Sequence, residues 1–243
     1  MYPGAHAQQD PDRPAVIAAE DGTVLTYRDL DDASMRLAQL LYADGLRPEQ
    51  HIAFLSTNRL EVFGIYWAGL RSGLFVTAVN HHLSPAEAAY VINDCGAEVL
   101  IVSADLADLA VAIADDIPQV RRRLAFGGPV PGYESYSDAV AAILRKRVES
   151  DQPEVASTTA YLMAKYGDAD DRKILEARLE RWRKEWGARQ LEADTNQQGR
   201  IESELLTGLN RAKDGRIAPE RVKELQQSCI TKMCKQNFPT PQP

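Results

Sequence analysis

The sequence of 243 residues has little cysteine, no lysine before Lys146 and no long apolar run. A helix that crosses a membrane needs about 20 consecutive apolar residues, so no membrane span is predicted. The chain starts MYPGAHAQQDPDRP, which lacks the basic start and apolar core of a secretory signal. Its three cysteines, Cys95, Cys229 and Cys234, fit a reducing cytoplasm better than a disulfide framework.

The two parts of the chain differ in charge. Residues 1–143 hold nine arginines against 19 acidic residues, a net charge of −10, whereas residues 144–243 carry a net charge of +3. The total of −7 argues against a nucleic-acid partner. This change predicts a linker at 144–154, a helical segment at 155–236 and a disordered tail at 237–243. Either a fusion of unrelated sequences or a globular domain with a helical tail explains the change.

The hydrophobic period changes several times between Glu61 and Ser103. A helical period ends at Gly73, and the apolar run Leu74–Val79 predicts a strand buried on both faces. Ser84 and Glu87 can form a capping box at the start of the next helix, before the apolar run Val99–Val102. Helices that alternate with short apolar strands predict a parallel sheet covered by helices.

The residues before this stretch predict a β-hairpin, a helix and a strand. Ala15–Ala19 and the strand ending at Thr26 flank the turn signal Asp21-Gly22. Thr26 is a predicted N-cap for the helix Tyr27–Ala43. Ile52–Leu55 is the next strand. Further on, helices are predicted near residues 106–113 and 136–143, with a loop between them. The predicted fold class is α/β, the N-terminal part of a doubly wound, mainly parallel sheet, followed by an α-helical C-terminal segment.

The order of these segments resembles the N-terminal part of the AMP-forming acyl-CoA synthetases, in the adenylate-forming superfamily. Over residues 1–143 the resemblance rests on PDRPAVI at 11–17, LTYRDLD at 25–31, RLAQLLYADGLRPEQHIAFLSTN at 36–58, YWAGLRSGLFVTAVNHHLSPAEAAYVINDCGAEVLIVS at 66–103 and GGPVPGYESYSDAV at 127–140. The resemblance implies adenylation of a fatty or other carboxylic acid by ATP and Mg²⁺, followed by thioester formation with coenzyme A.

The family's phosphate loop needs glycines and a lysine beside its hydroxyl side chains, because backbone amides must approach the triphosphate closely. Ser157-Thr158-Thr159 offers hydroxyls without glycine, and an N-cap for a helix at Tyr161–Tyr166 explains these residues better. We therefore carry over no catalytic, cofactor-binding or metal-binding residue. We also expect no ATP, Mg²⁺ or coenzyme A to bind this chain tightly.

Three hypotheses follow for the function. The chain is a truncated or fused synthetase that is inactive alone, an interaction protein, or one half of a split enzyme completed by a second polypeptide. The interaction hypothesis rests on Leu175, Leu179, Trp182 and Trp186, whose spacing of four, three and four predicts a helix-association seam. Its expected partner is a helical protein or a second copy of the chain.

Other candidate sites have simpler explanations. Asn80-His81-His82 follows a strand, but adjacent histidines are expected to point apart and to make a poor metal pair. Arg121-Arg122-Arg123 is predicted to lie in a solvated loop, although a phosphate or a membrane surface is an alternative ligand. Cys95, near a helix end, has no neighbour in sequence that would activate its thiol.

The helical segment carries two glycine phrases and two cysteines. Asp194–Leu205 and Asn210–Arg221 resemble calcium-binding loops but lack the final glutamate that such loops need. Cys229 and Cys234, taken as five residues apart on one helix, would lie about 140° apart around its axis and form no metal site.

Overall fold

The computed structural model describes residues 3–211 and 217–238. Its contacts divide the chain into two compact units, Met1–Val140 and Ala141–Pro243, which are described in turn. The predicted linker at 144–154 contains the end of one helix, the start of the next and a short turn between them. The division into a 1–143 domain and a separate helical segment stays a prediction.

The first unit contains a five-stranded parallel sheet and a small hairpin. Strands β1 (Pro14–Ile17) and β2 (Val24–Thr26) form the antiparallel hairpin that the Asp21-Gly22 turn predicts. The sheet contains β3 (His51–Leu55), β4 (Phe75–Val79), β5 (Ala97–Ser103), β6 (Arg122–Phe126) and β7 (Glu134–Ser135), in the order β4-β3-β5-β6-β7. All its neighbouring strands are parallel, which confirms the predicted fold class.

The helices of this unit begin and end at local signals in the sequence. They are α1 (Pro3–Gln9), α2 (Tyr27–Ala43), α3 (Glu61–Arg71), α4 (Pro85–Asp94), α5 (Ala107–Ala112) and α6 (Tyr136–Arg147), which continues past the unit boundary. The Thr26 hydroxyl accepts the Asp29 amide at 3.1 Å, and Ser84 and Glu87 form the predicted capping box. Gly73, with a φ of 69°, follows the end of α3 in the left-handed conformation that glycine adopts easily.

The core of the first unit surrounds the central strand β5. Val99, Leu100, Ile101 and Val102 are fully buried, and Ile92 of α4 packs in the same core. Strand β4 is different, because it lies at the edge of the sheet and Phe75 is 56% exposed. The prediction that Leu74–Val79 is buried on both faces was therefore wrong. An apolar run shows that a segment is a strand, but its position in the sheet depends on pairing with distant residues.

The prediction of a loop at Arg121–Arg123 was also wrong, because Arg122 and Arg123 begin strand β6. Carboxylates and carbonyls of distant segments hold the three guanidinium groups. Arg121 contacts Glu98, Arg122 contacts both Asp44 and Glu134, and Arg123 donates to the Ala114 carbonyl. The three arginines thus form ion pairs and hydrogen bonds within the chain. The run of arginines in the sequence does not by itself reveal these partners.

The second unit is helical. Its helices are α7 (Pro153–Tyr166), α8 (Ala169–Trp186), α9 (Gln190–Thr195), α10 (Gln198–Arg211), α11 (Pro219–Gln227) and α12 (Lys232–Asn237). Helix α8 begins at Asp168, which forms a capping box with Asp171. Residues 212–216 of the second glycine phrase, Asn210–Arg221, lie outside the described residues, as do residues 239–243 of the predicted disordered tail. Within the described ranges, no helix is long and apolar enough to cross a membrane.

Candidate functional site

The carboxyl ends of the parallel strands form the most suitable edge of the first unit for a ligand. Strand β4 lies on one side of β3 and strand β5 lies on the other. The strand order therefore reverses its direction at β3. In open α/β sheets, ligands bind outside the carboxyl ends of the strands at such a switch point. Thr57 and Asp105 lie there, and the Thr57 hydroxyl donates to Asp105 Oδ2 at 2.5 Å.

Asp105 is the charged group at the switch point. Burial acts to raise the pKa of Asp105, but the hydrogen bond from the Thr57 hydroxyl, the nearby Ser103 hydroxyl and Arg59 hold it below its ordinary value. Asp105 is therefore ionised at neutral pH. It lies two residues after the end of β5, and this position after a strand is a signal that sequence reasoning missed.

A cavity of about 610 Å³ lies beside the end of β6. Its lining comes from the start of α3, the loop after β6 and the start of α6, and comprises Glu61, Ala125, Phe126, Gly127, Gly128, Pro129, Val130, Tyr133, Ser135, Tyr136 and Ser137. This volume falls within the range of small-molecule sites, about 300–1,000 Å³.

Two glycines allow the loop after β6 to pass close to its neighbours. Gly127 has a φ of 79°, and a side chain there would lie 3.2 Å from Arg59 Nη2. A side chain at Gly128 would lie 3.1 Å from Ala104 Cβ, just after β5. Glycine is favoured at Gly127 for its backbone conformation, and a Cβ at Gly128 would require Ala104 to shift by a few tenths of an ångström.

The two phenols of the cavity are poorly suited to proton transfer. The side chain of Tyr136 is partly exposed, but desolvation of its hydroxyl raises its pKa to about 12 against the opposing influence of Arg36. Burial also raises the pKa of Tyr133, whose hydroxyl donates to the Ala110 carbonyl at 2.9 Å. Both phenols stay protonated at neutral pH, so neither of them can act as a general base, and Glu61 is the carboxylate of the lining.

The structure places Asn80-His81-His82 after β4, at the edge of the sheet. The two imidazole rings lie 4.0 Å apart between centroids, so the expectation that they point apart was wrong. The cause is a local turn, in which the Asn80 side chain accepts the His82 amide at 3.0 Å. Cys95 lies at the C-terminal end of α4 as a free thiol.

Ser157, Thr158 and Thr159 lie inside helix α7, which begins at Pro153. The prediction that they cap a helix at Tyr161–Tyr166 was wrong, because the helix starts eight residues earlier, after Gln152. Only the first four amides of a helix lack an intrahelical acceptor. The amides of these three residues come later and are used within α7, so the segment cannot cradle a triphosphate and does not fit ATP.

The proposed seam of Leu175, Leu179, Trp182 and Trp186 lies on one side of α8. All four side chains are at most 8% exposed, and α8 packs against α7 and α10. The two indole rings stack at 6.3 Å between centroids. The seam is therefore occupied within the chain, and a partner could use it only if the unit opened. Binding of another chain through this surface stays a prediction.

Comparisons with known proteins agree with the α/β fold of the first unit. A family model described as "AMP-binding enzyme" matches residues 4–177. A fatty acid–acyl-carrier-protein ligase of Streptomyces coeruleorubidus is 33% identical over 97 residues, which cover 40% of this chain and 18% of the relative. A 3-hydroxybenzoate–CoA/4-hydroxybenzoate–CoA ligase of Thauera aromatica is 30% identical over 135 residues, 54% of this chain and 25% of the relative. The chain thus spans a quarter or less of those relatives.

Solved structures add the fold. A crystal structure described as a long-chain-fatty-acid CoA ligase of Rhodopseudomonas palustris superposes with a TM-score of 0.52 at 28% identity, covering 56% of this chain and 34% of the other. A luciferase of Phrixothrix hirtus superposes with a TM-score of 0.53 over 58% of this chain and 34% of the other, and at 18% identity it supports the fold alone.

Proposed function

Because the chain belongs to the AMP-binding enzyme family, we propose that it supplies part of the α/β framework of an AMP-forming acid–thiol ligase and is inactive alone. The family reaction would activate a fatty or aromatic carboxylic acid with ATP and Mg²⁺ and transfer it to coenzyme A. Since these small molecules are cytoplasmic substrates, we propose a cytoplasmic location.

One observation carries the proposal of inactivity. Ser157–Thr159 are the residues nearest to a phosphate loop, and they lie in the interior of α7. Thr159 is fully buried, and Gly167 is the first glycine after this run. A phosphate cradle needs free backbone amides in a glycine-containing loop. Family membership therefore does not bring the nucleotide-binding chemistry with it in this segment.

The test is ATP–pyrophosphate exchange by the purified full chain. Medium- and long-chain fatty acids, benzoate and hydroxybenzoates serve as substrates, with an active ligase of the family as the positive control. We expect no acid-dependent exchange above the blank and no binding of ATP with Mg²⁺ by calorimetry. Acid-dependent exchange by the chain would overturn the proposal of inactivity.

The split-enzyme hypothesis has a separate test. The DNA immediately downstream would encode a polypeptide with a glycine-containing phosphate loop and the later acidic motifs. Co-expression of that polypeptide with this chain would then restore exchange. If no such polypeptide is encoded, or co-expression restores nothing, the split-enzyme hypothesis is rejected and the truncated or fused scaffold remains.

A further inference from the structure

Two cysteines of the helical unit form a disulfide that the spacing argument did not foresee. Cys229 and Cys234 are bonded, with their Cα atoms 5.6 Å apart. Helix α11 ends at Gln227 and α12 begins at Lys232, so a turn separates the two residues. The angle of about 140° assumed one continuous helix and was therefore wrong. The expectation of reduced cysteines, which rested on their small number, was also wrong for this pair.

A largely buried arginine faces both sulfur atoms. Arg183 Nη2 lies 3.9 Å from Cys229 Sγ and 4.0 Å from Cys234 Sγ. The same guanidinium donates through Nε to Glu202 at 2.8 Å and through Nη1 to the Ser228 hydroxyl. A cation beside a sulfur stabilises the thiolate, which is the reactive form of cysteine.

The turn between the cysteines is also held without the disulfide. The fully buried carboxylate of Glu202 accepts the amides of Ile230 at 3.0 Å and Thr231 at 2.8 Å. It accepts the Thr231 hydroxyl at 2.7 Å as well, and Gln190 donates to the Ile230 carbonyl at 2.6 Å. These contacts would keep the two sulfurs close after reduction, so that the bond can form again.

A metal site is a poorer explanation of the same cluster. One ligand atom from each of Glu202, Cys229 and Cys234 lies within 4.8 Å of the others. The Glu202 carboxylate is already occupied by Arg183 and by donors of the turn, and the guanidinium stands where a cation would need to approach the sulfurs. The donor set therefore fits a redox pair better than a divalent cation.

We propose that Cys229–Cys234 is a thiol–disulfide exchange site that reacts with a dithiol reductant. Cys229 is 7% exposed and Cys234 fully buried, so Cys229 Sγ is the sulfur that the reductant attacks. When disulfides occur in a reducing compartment, they are usually transient and redox-sensing. The proposal is independent of the inactivity of the chain as a ligase.

The chemistry balances in two steps. A thiolate of the reductant attacks Cys229 Sγ and forms a mixed disulfide while the Cys229–Cys234 bond breaks. Cys234 leaves as a thiolate beside Arg183. The second thiolate of the reductant then attacks the first sulfur of the reductant, which is bonded to Cys229 Sγ in the mixed disulfide, and Cys229 leaves as a thiolate. Two electrons and two protons pass from the reductant to the cysteine pair, and the reductant becomes a cyclic disulfide.

The test uses the full chain in redox buffers of reduced and oxidised dithiothreitol, followed by acid quenching, alkylation and peptide mass spectrometry. Cys95, in the other unit, is the internal control because it is a single free thiol. We expect Cys229 and Cys234 to change together between disulfide and dithiol in the native protein, while Cys95 is alkylated throughout. Reduction only after unfolding in urea, or independent alkylation of the two cysteines in oxidising buffer, would overturn the proposal.

Arg183 provides a second test. Arg183→Gln removes the positive charge beside the sulfurs, whereas Arg183→Lys retains a cation. We expect Arg183→Gln to slow reduction several-fold, because a leaving thiol departs more slowly when no cation lowers its pKa. Arg183→Lys should stay closer to the wild-type rate. Circular dichroism checks that both variants are folded, and equal rates for folded variants and wild type would contradict the role of Arg183.

Discussion

Replacing Glu202 with glutamine is expected to destabilise the helical unit far more than the same replacement at Glu192. Both glutamates pair with an arginine of the same unit, Glu202 with Arg183 and Glu192 with Arg189. The Glu202 side chain is 0% exposed, whereas that of Glu192 is 52% exposed. The pair of variants therefore isolates the effect of burial.

The size of the expected loss of stability depends on the groups that would lose their partner when Glu202 is replaced. Its loss leaves the guanidinium of Arg183, only 11% exposed, without its counter-charge, and weakens three hydrogen bonds from the turn at Ile230 and Thr231. Breaking a buried ion pair by removing one partner costs about 3–5 kcal/mol. For a unit of roughly 100 residues, a loss of about 3 kcal/mol lowers the melting temperature by about 12–24 °C. An exposed pair of residues three positions apart contributes little, so Glu192→Gln should leave the melting temperature unchanged.

The assay is thermal and urea unfolding followed by tryptophan fluorescence under non-reducing conditions. Trp182 and Trp186 report on the helical unit, and a Trp67→Phe background removes the signal of the other unit. Equal midpoints for Glu202→Gln and Glu192→Gln would refute the reasoning. Replacing both Arg183 and Glu202 with methionine should recover part of the lost stability, because no unpaired charge then stays buried.

Three further predictions concern the first unit. In Gly69→Ala the new Cβ would clash with Val76 Cγ2, so we expect a loss of about 1–3 kcal/mol in urea unfolding. A double mutant with Val76→Ala should recover part of this loss, and additive effects of the two substitutions would contradict the clash. Although Arg71 Nη2 lies 2.6 Å from Asp31, burial raises the pKa of Asp31 to about 6. The folded state therefore holds a proton that the unfolded state releases near pH 3.9, and stability should fall as pH rises from about 4 to about 6. Asp31→Asn should flatten that part of the stability profile, and an unchanged slope would reject the assignment. Ser84→Ala removes the N-cap of α4 and should cost about 1 kcal/mol, with faster exchange of the capped amide by NMR; unchanged exchange would argue against the cap.

The sequence predicted the starts of α2 and α4 correctly, because the signals that set them act within a few residues, but it placed the start of α7 eight residues too late. Thr26 caps the helix Tyr27–Ala43, and its observed bounds are the predicted ones. The capping boxes at Ser84 and Asp168 likewise join residues three positions apart. Such contacts form wherever the chain starts a helix, so they can be recognised without knowing the rest of the fold.

The resemblance to AMP-forming acyl-CoA synthetases could also be read from the sequence, and membership of that family is now shown. It depends on the succession of short segments up to Val140 rather than on any single catalytic residue. The chemistry was harder to judge, because the hydroxyls of Ser157–Thr159 have the right composition. Only the course of α7, which begins at Pro153, shows that their amides are used inside a helix.

The sequence by itself determined the α/β class, the family and most local elements of this protein. Tertiary structure alone decided that β4 lies at the edge of the sheet, that Arg122 and Arg123 belong to β6, and that Cys229 reaches Cys234 beside Arg183. The physical reason is the distance along the chain over which each interaction acts. Caps and hydrophobic periods involve neighbours, whereas strand order, ion pairing and the environment of a sulfur depend on residues brought together only by folding.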